Sequence, residues 1–205
     1  MLEFQIRETF PPAAVPETQE RIFMQNTYET ERLFLKVLGP SDAEAVADYY
    51  RRNLSFLEEY EPVRSSEFYT PEYQSEQLKK DEVDRTNGVL LRLWLFKKED
   101  GKLIGSIAFN NIVRGSFLSC HLGYKLDEAE INRGYMTEAL RQAIEIVFRE
   151  VGLHRIEANI MPKNKRSLRV TEKLGFYHEG LAHQYLKING KWEDHIHMVL
   201  LNGSV

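Results

Sequence analysis

Glu130–Gly152 reads EINRGYMTEALRQAIEIVFREVG. Tyr135, Met136, Ala139, Leu140, Ala143, Ile144, Val147 and Phe148 recur at spacings of three and four, so they form one apolar stripe on a helix over 134–150. Such a stripe needs a flat apolar partner. Upstream, FLSCHLGYKL (117–126) alternates with the period of a strand, and downstream HRIEANIM (154–161) does the same. Strand, helix, strand is a crossover unit, which places the two strands parallel in one sheet.

Working outward, the remaining elements are shorter-range. RLFLKVL (32–38) is a strand. GPSDAEAVADYYRRN (39–53) is a helix capped by Ser41 or Asp42. FLEEYEPVRSSEFYT (56–70) is an irregular aromatic loop, and a second helix runs from Pro71 to Gly88. VLLRLWLFKK, the turn EDGK and LIGSIAFNNIV make a hairpin. Beyond the crossover come the helix KNKRSLRVTEKLG, the strand FYHEGLAHQYLKI, an Asn189–Gly190 turn and the strand KWEDHIHMVLL. The order β-α-α-β-β-β-α-β-α-β-β implies an α+β fold with a mixed, largely antiparallel sheet flanked by helices. Residues 1–29, with three prolines in FPPAAVPETQE, read as an extended arm with one short strand on either side, and 30–205 as the domain.

The 205 residues carry a formal net charge of −4, which argues against direct binding of nucleic acid. A single cysteine, Cys120, permits no intrachain disulfide and fits a reducing compartment. No apolar run approaches the roughly 20 residues of a membrane helix, and MLEFQIRETF is unlike a signal peptide. The expectation is a cytoplasmic protein, monomer or homodimer.

The helix begins on a glycine-bearing turn, Ile131–Met136. A helix N-terminus presents amide groups without intrahelical partners and a partial positive charge, a setting suited to phosphate. Gly134, lacking Cβ, allows close approach. The plainer alternative is a turn glycine followed by a helix that Asn132 caps. No Gly-Lys-Ser/Thr follows, so this is not a nucleoside-triphosphate loop.

TERL, FLEEYEPVR, NIVRGSF, LGYKL, GYMTEAL, MPKNKRS, KLGF and ING-KW stand in this order between about residue 30 and residue 201. In this arrangement the chain resembles the GCN5-related N-acetyltransferase (GNAT) family, and within it the branch that acetylates ribosomal-protein N-termini. The resemblance implies a sheet splayed between the strands 116–126 and 154–161. It implies acetyl-CoA as cosubstrate, with no metal, held by Ile131, Asn132, Arg133, Gly134, Tyr135 and Met136, by backbone groups of Leu122, Gly123 and Tyr124, and by Asn164 and Arg166. The family's turn usually opens with Gln or Arg and closes with Gly or Ala; Ile131 and Met136 depart from that.

The implied chemistry is attack of an amine on an acetyl thioester, which needs a base, an oxyanion donor and an acid for the thiolate. On the strand, His121 shares its face with Ser119, Gly123 and Lys125. It stands where relatives carry Glu, so it is either the base or an ordinary exposed histidine. Glu157 is the fallback base. Leu186 falls where some relatives place a glutamate. By the resemblance Ser167 is the acid; independently, Asn164 reads as the cap of its helix. Lys163, Lys165, Arg166 and Arg169 are either phosphate partners or a solvated face. Cys120 reads as packing. His195 and His197, with His183, form a metal-like grouping, but no carboxylate or cysteine completes it. Asp194 reads as structural.

Tyr60, Glu61 and Arg64 are the acceptor-binding candidates, with the acidic residues of that loop as attractors for a cationic amine. The expected activity is transfer of acetyl from acetyl-CoA to a primary amine, by resemblance the N-terminal alanine of a ribosomal protein. The alternatives are a small amine such as a polyamine or aminoglycoside as acceptor, or a module that binds CoA or the ribosome without catalysis.

Overall fold

The structure, a computed structural model, describes residues 25–203. Most of the arm 1–29 therefore lies outside the described residues. Its last part, β1 (Thr27–Glu29), pairs antiparallel with β2 (Leu33–Lys36) at one edge of the sheet. Helices α1 (Ala43–Arg52), α2 (Leu54–Leu57) and α3 (Pro71–Thr86) follow. Then come β3 (Leu91–Lys97), β4 (Leu103–Val113) and β5 (Ser119–Leu126), the helix α4 (Tyr135–Ile146), β6 (Arg155–Ile160), α5 (Lys165–Lys173), β7 (Tyr177–Ile188) and β8 (Lys191–Leu201). The eight strands form one sheet in the order β1-β2-β3-β4-β5-β6-β8-β7, and only β5 and β6 are parallel.

The loop expected at 56–70 is partly helical: α2 occupies its approach, and Ser66–Tyr69 form a tight 3-10 turn. Asp42 takes the cap position of α1, yet its carboxylate accepts from the Gly39 amide (3.0 Å) and not from the helix. The end of the crossover helix also differs. Val147–Val151 form a wide π-turn, closed by Gly152 at φ +71°. The extra residue in that turn buries both Val147 and Val151.

Strand alternation divides the core into two layers. Leu91, Leu93 and Leu95 of β3, with Ile107 and Phe109 of β4, pack with α4. Trp94, on the opposite face, packs with Tyr49, Tyr50 and Leu78 from α1 and α3. Ala139, Leu140, Ala143 and Val147 are fully buried. Each large apolar side chain buried in this way contributes about 1.5–3 kcal/mol against chain entropy.

The central feature is where β5 and β6 part. Their ladder has the rungs Ser119↔Arg155, Cys120↔Ile156 and His121↔Glu157, and stops there. Beyond it β5 continues along β4 to Leu126, while β6 continues along β8 to Ile160. The sheet is open between Leu122–Leu126 and Ala158–Ile160.

At the far edge, β7 pairs irregularly with β8. One extra residue sits between His178 and Gly180, and the register slips again between Ala182 and Leu186, where Gln184 has φ +49°.

Candidate active site

Two cavities meet at the opening in the sheet. One, of about 350 Å³, lies on the α4 and α5 face and is bounded by the turn before α4. The other, of about 550 Å³, lies on the α1 and α3 face. Tyr60, Glu61, Tyr124, Lys125, Asn164 and Ser167 line both. The wedge between β5 and β6 is therefore a passage from one face of the sheet to the other.

The turn before α4 has left-handed backbone at Asn132 (φ +61°) and at Gly134 (φ +83°). Gly134 is the cap residue, and no side chain bonds the first amides of α4. Asn132 does not cap the helix; the turn it shares with Gly134 carries it away. The turn is clamped from the β1–β2 connection. Glu138 accepts from Thr30 Oγ1 (2.6 Å), the Arg32 amide (2.8 Å) and Arg32 Nε (2.7 Å). Arg32 Nη1 in turn donates to the Arg133 carbonyl (3.0 Å), and its guanidinium lies over the Tyr135 ring. Burial disfavours the Glu138 anion, but these donors outweigh it and hold the carboxyl below the usual glutamate range.

Ile131, Asn132, Gly134 and Met136 line the smaller cavity, with Arg166, Arg169 and Lys173 on its other side. Free amides, a glycine and three cations fit an anionic ligand with a phosphate on the turn. Arg133 and Tyr135 do not line it: Arg133 pairs with Glu130 (3.2 Å), and Tyr135 is buried under Arg32. Leu122 and Gly123 line the larger cavity only, and Tyr124 lines both. Gly123 pairs regularly with Ala108, so it is not at a bulge.

Ser167 sits at the passage. Its amide donates to Asn164 Oδ1 (3.1 Å), which caps α5. Its Oγ is 2.6 Å from Tyr124 Oη, which also donates to the Ser167 carbonyl (3.1 Å). Burial raises the Tyr124 phenol, so it stays protonated and can feed Ser167.

His121 and Glu157 fall together on the last rung of the ladder, His121 Nε2 being 3.8 Å from Glu157 Oε1. Neither lines either of these two cavities. Glu157 also meets Arg155 Nη2 (2.7 Å) and His197 Nδ1 (2.7 Å). Burial opposes its charge, yet those two partners keep its carboxyl below the ordinary range and occupy both of its oxygens. Asn111 Nδ2 lies 3.1 Å from His121 Nδ1. Cys120 is buried, and burial pushes its thiol up to about 12.

Tyr60, Glu61 and Arg64 all line the larger cavity. Glu61 is bonded by Lys125 and lies 3.6 Å from Arg64. Asp81 and Arg92 form a further ion pair in its lining (2.9 Å). The sequence gives Lys125 its strand face but not its pairing with Glu61, and gives no sign of the Asp81–Arg92 pair, since tertiary packing, not spacing, brings them here. His195 also lines this cavity, apart from any metal-like group. His183 instead bonds Asp194, which also accepts the Gln184 amide and is structural. No cluster of three or more metal-ligating side chains occurs among the described residues.

Residues 32–177 match the family model described as an acetyltransferase (GNAT) domain. The chain belongs to the GNAT family. As a GNAT protein it is an acetyl-CoA-dependent N-acetyltransferase. The chain is similar to the [Ribosomal protein uS5]-alanine N-acetyltransferase of Escherichia coli K12, at 40% identity over 167 residues, 82% of this chain and 86% of that one. It is 38% identical over 177 residues to the "Probable N-acetyltransferase YjcK" of Bacillus subtilis 168, covering 83% and 94% of the two chains. Among solved structures, the ribosomal-protein-S5-alanine acetyltransferase of Vibrio fischeri superposes with a TM-score of 0.84 at 35% identity, over 87% of this chain and 98% of that one. No helix among the described residues is long and apolar enough to cross a membrane.

Proposed function

We propose that this GNAT enzyme acetylates the α-amine of a protein N-terminus in the cytoplasm, with the N-terminal alanine of a ribosomal protein as its acceptor. Residues 30–205 are the catalytic domain and 1–29 an extension to it. The acceptor enters the larger cavity and acetyl-CoA the smaller, and they meet in the wedge between β5 and β6. The observation that carries the reading is the charge of the acceptor cavity. Its lining holds the cations Arg64, Arg92 and Lys125 against the carboxylates Glu61 and Asp81, each already paired. A polyamine or aminoglycoside brings several positive charges and meets a surplus of cations there. A peptide N-terminus brings one charge and a neutral backbone. Gly123, Ala108 and Ala158 in the lining leave room for a small first residue. The names of the similar proteins from Escherichia coli and Vibrio fischeri agree with that acceptor.

Bound acetyl-CoA supplies an acetyl thioester whose carbonyl carbon the amine attacks. Amides of the turn at 131–136 hold its phosphates, Arg166 adds charge, and a backbone N–H of the stretch Leu122–Tyr124 on the edge free of β6 faces the thioester oxygen. Ser167 is the proton donor to the departing thiolate, replenished by Tyr124. The test is a panel of acceptors with acetyl-CoA, read by mass. Transfer to an alanine-starting peptide and not to polyamines or aminoglycosides is expected. Transfer to small polycations alone would overturn the acceptor, and binding of acetyl-CoA without transfer to any of them would favour a non-catalytic module.

A further inference from the structure

We propose that His195 is the base that takes the proton from the acceptor's ammonium, acting from the wall of the acceptor cavity through its Nε2. The inference rests on the N-acetyltransferase reading and adds the residue that reading lacks.

His195 is 3% exposed and lines the acceptor cavity, as does Ser167. Its register partner on β7 is Ala182, and it alternates along β8 with His197. His197 is opposite Asn159, and Glu157 is opposite His121, so His195 faces the same side of the sheet as Gly123 and Lys125. It stands beyond the opening, on the β6–β8 side. His195 Nδ1 is 3.0 Å from the Glu193 carbonyl oxygen. A carbonyl only accepts, so Nδ1 carries the ring proton and Nε2 carries the lone pair. Nε2 makes no hydrogen bond among the described residues, and the residue lines the cavity. The ring edge is held by Tyr185, whose centroid lies 5.7 Å away.

The charged side chains of the lining are committed. Glu61 is bonded to Lys125, Asp81 to Arg92, and Arg64 and Lys125 are cations. Tyr124 is held protonated by burial. Leu186 lines the cavity but has nothing to accept a proton. Among the described lining residues, His195 is the one neutral nitrogen base. Burial lowers its pKa, as does the charge of His197, while the Glu193 carbonyl and the carboxylates of Glu193 and Asp194 act the other way, and the balance is downward. The ring is therefore neutral at pH 7 and ready to accept. Across the cavity Lys125 and Arg92, with their partners Glu61 and Asp81, complete the charged surroundings.

The protons balance. The ammonium gives one proton to His195 Nε2, and the free amine attacks the thioester carbon. As the C–N bond forms and the C–S bond breaks, the nitrogen loses a second proton, and the thiolate gains one from the Ser167 hydroxyl. Ser167 and Tyr124 relay the nitrogen's proton, and His195 releases its own to water.

The test compares His195→Gln, His195→Ala and His121→Ala in steady-state transfer to an alanine-starting peptide from pH 5 to 9, alongside acetyl-CoA affinity and thermal stability. His195→Gln can keep the bond to the Glu193 carbonyl. Turnover of both His195 variants is expected to fall by about 100-fold or more at pH 7, with the acid limb of the profile lost and acetyl-CoA affinity kept. Imidazole should restore part of the rate to His195→Ala, and His121→Ala should keep its acid limb. His195→Gln at parental turnover with the limb intact overturns the assignment while leaving the acetyltransferase reading standing. A parent that transfers to no acceptor sinks both.

Discussion

Gly134→Ala tests the turn that the site is built on. At φ +83° an L-residue pays for left-handed backbone, about 1–2 kcal/mol. An added Cβ would lie 3.4 Å from Arg32 Nη2. That guanidinium has little freedom to withdraw, since Nη2 is 2.6 Å from Glu138 Oε2 and the group covers Tyr135. The strain is relieved by rotating the turn, which takes an amide off the phosphate. Losing one hydrogen bond to a charged group costs about 1.5–3 kcal/mol, or roughly 10- to 100-fold in acetyl-CoA affinity. Gly88→Ala is the matched control. It has φ +70°, nothing within 4 Å of its Cβ, and lies outside both cavities, just past the end of α3. Both variants should melt about 2–8 °C below the parent, by the usual scaling for a chain of this size. Only Gly134→Ala should lose acetyl-CoA affinity, by calorimetry and by a smaller ligand-induced rise in melting temperature. Equal affinity in the two variants would refute the argument that this turn holds the cosubstrate.

Tyr124→Phe removes the hydroxyl bonded to Ser167 Oγ; kcat should fall roughly 10-fold or more while acetyl-CoA affinity by calorimetry stays parental. Glu138→Gln should destabilise the fold at pH 7 by roughly 1–3 kcal/mol. The folded carboxyl titrates below the unfolded one, so its contribution is full above about pH 4.3 and is lost as pH falls through the folded value. Melting curves of parent and variant should therefore converge towards pH 3, and a gap that stays constant down to that pH would contradict the clamp.

The crossover was legible because Tyr135–Val147 repeats over several turns and alternating strands flank it. Its π-turn was not, since Phe148 and Val151 continue an apolar pattern that reads equally well as α-helix. Neither α2, at the entrance to the loop 56–70, nor the 3-10 turn Ser66–Tyr69 within it is long enough for periodicity to register. Of the site, the glycine turn and the Asn164 cap with Ser167 in its first turn could be read locally, because each is a contact within a few residues. His195 could not. In WEDHIH it looks like half of a metal pair with His197. Only the β6–β8 register and a bond to the Glu193 carbonyl separate the two rings, one into the cavity and the other onto Glu157. His121 drew attention for the converse reason: strand parity gives its face correctly but not that the ladder still holds at that rung.

The broken register of β7 has a consequence for the protein in solution. A long, straight outermost strand with exposed Leu181 and Leu186 would invite a neighbouring molecule to continue the ladder. The slips at His178–Gly180 and Ala182–Leu186 divide this border into short, twisted pieces, none of which a second chain can follow far. Deleting residues there to straighten the strand would leave a continuous edge for another chain to extend, even with the catalytic wedge left intact.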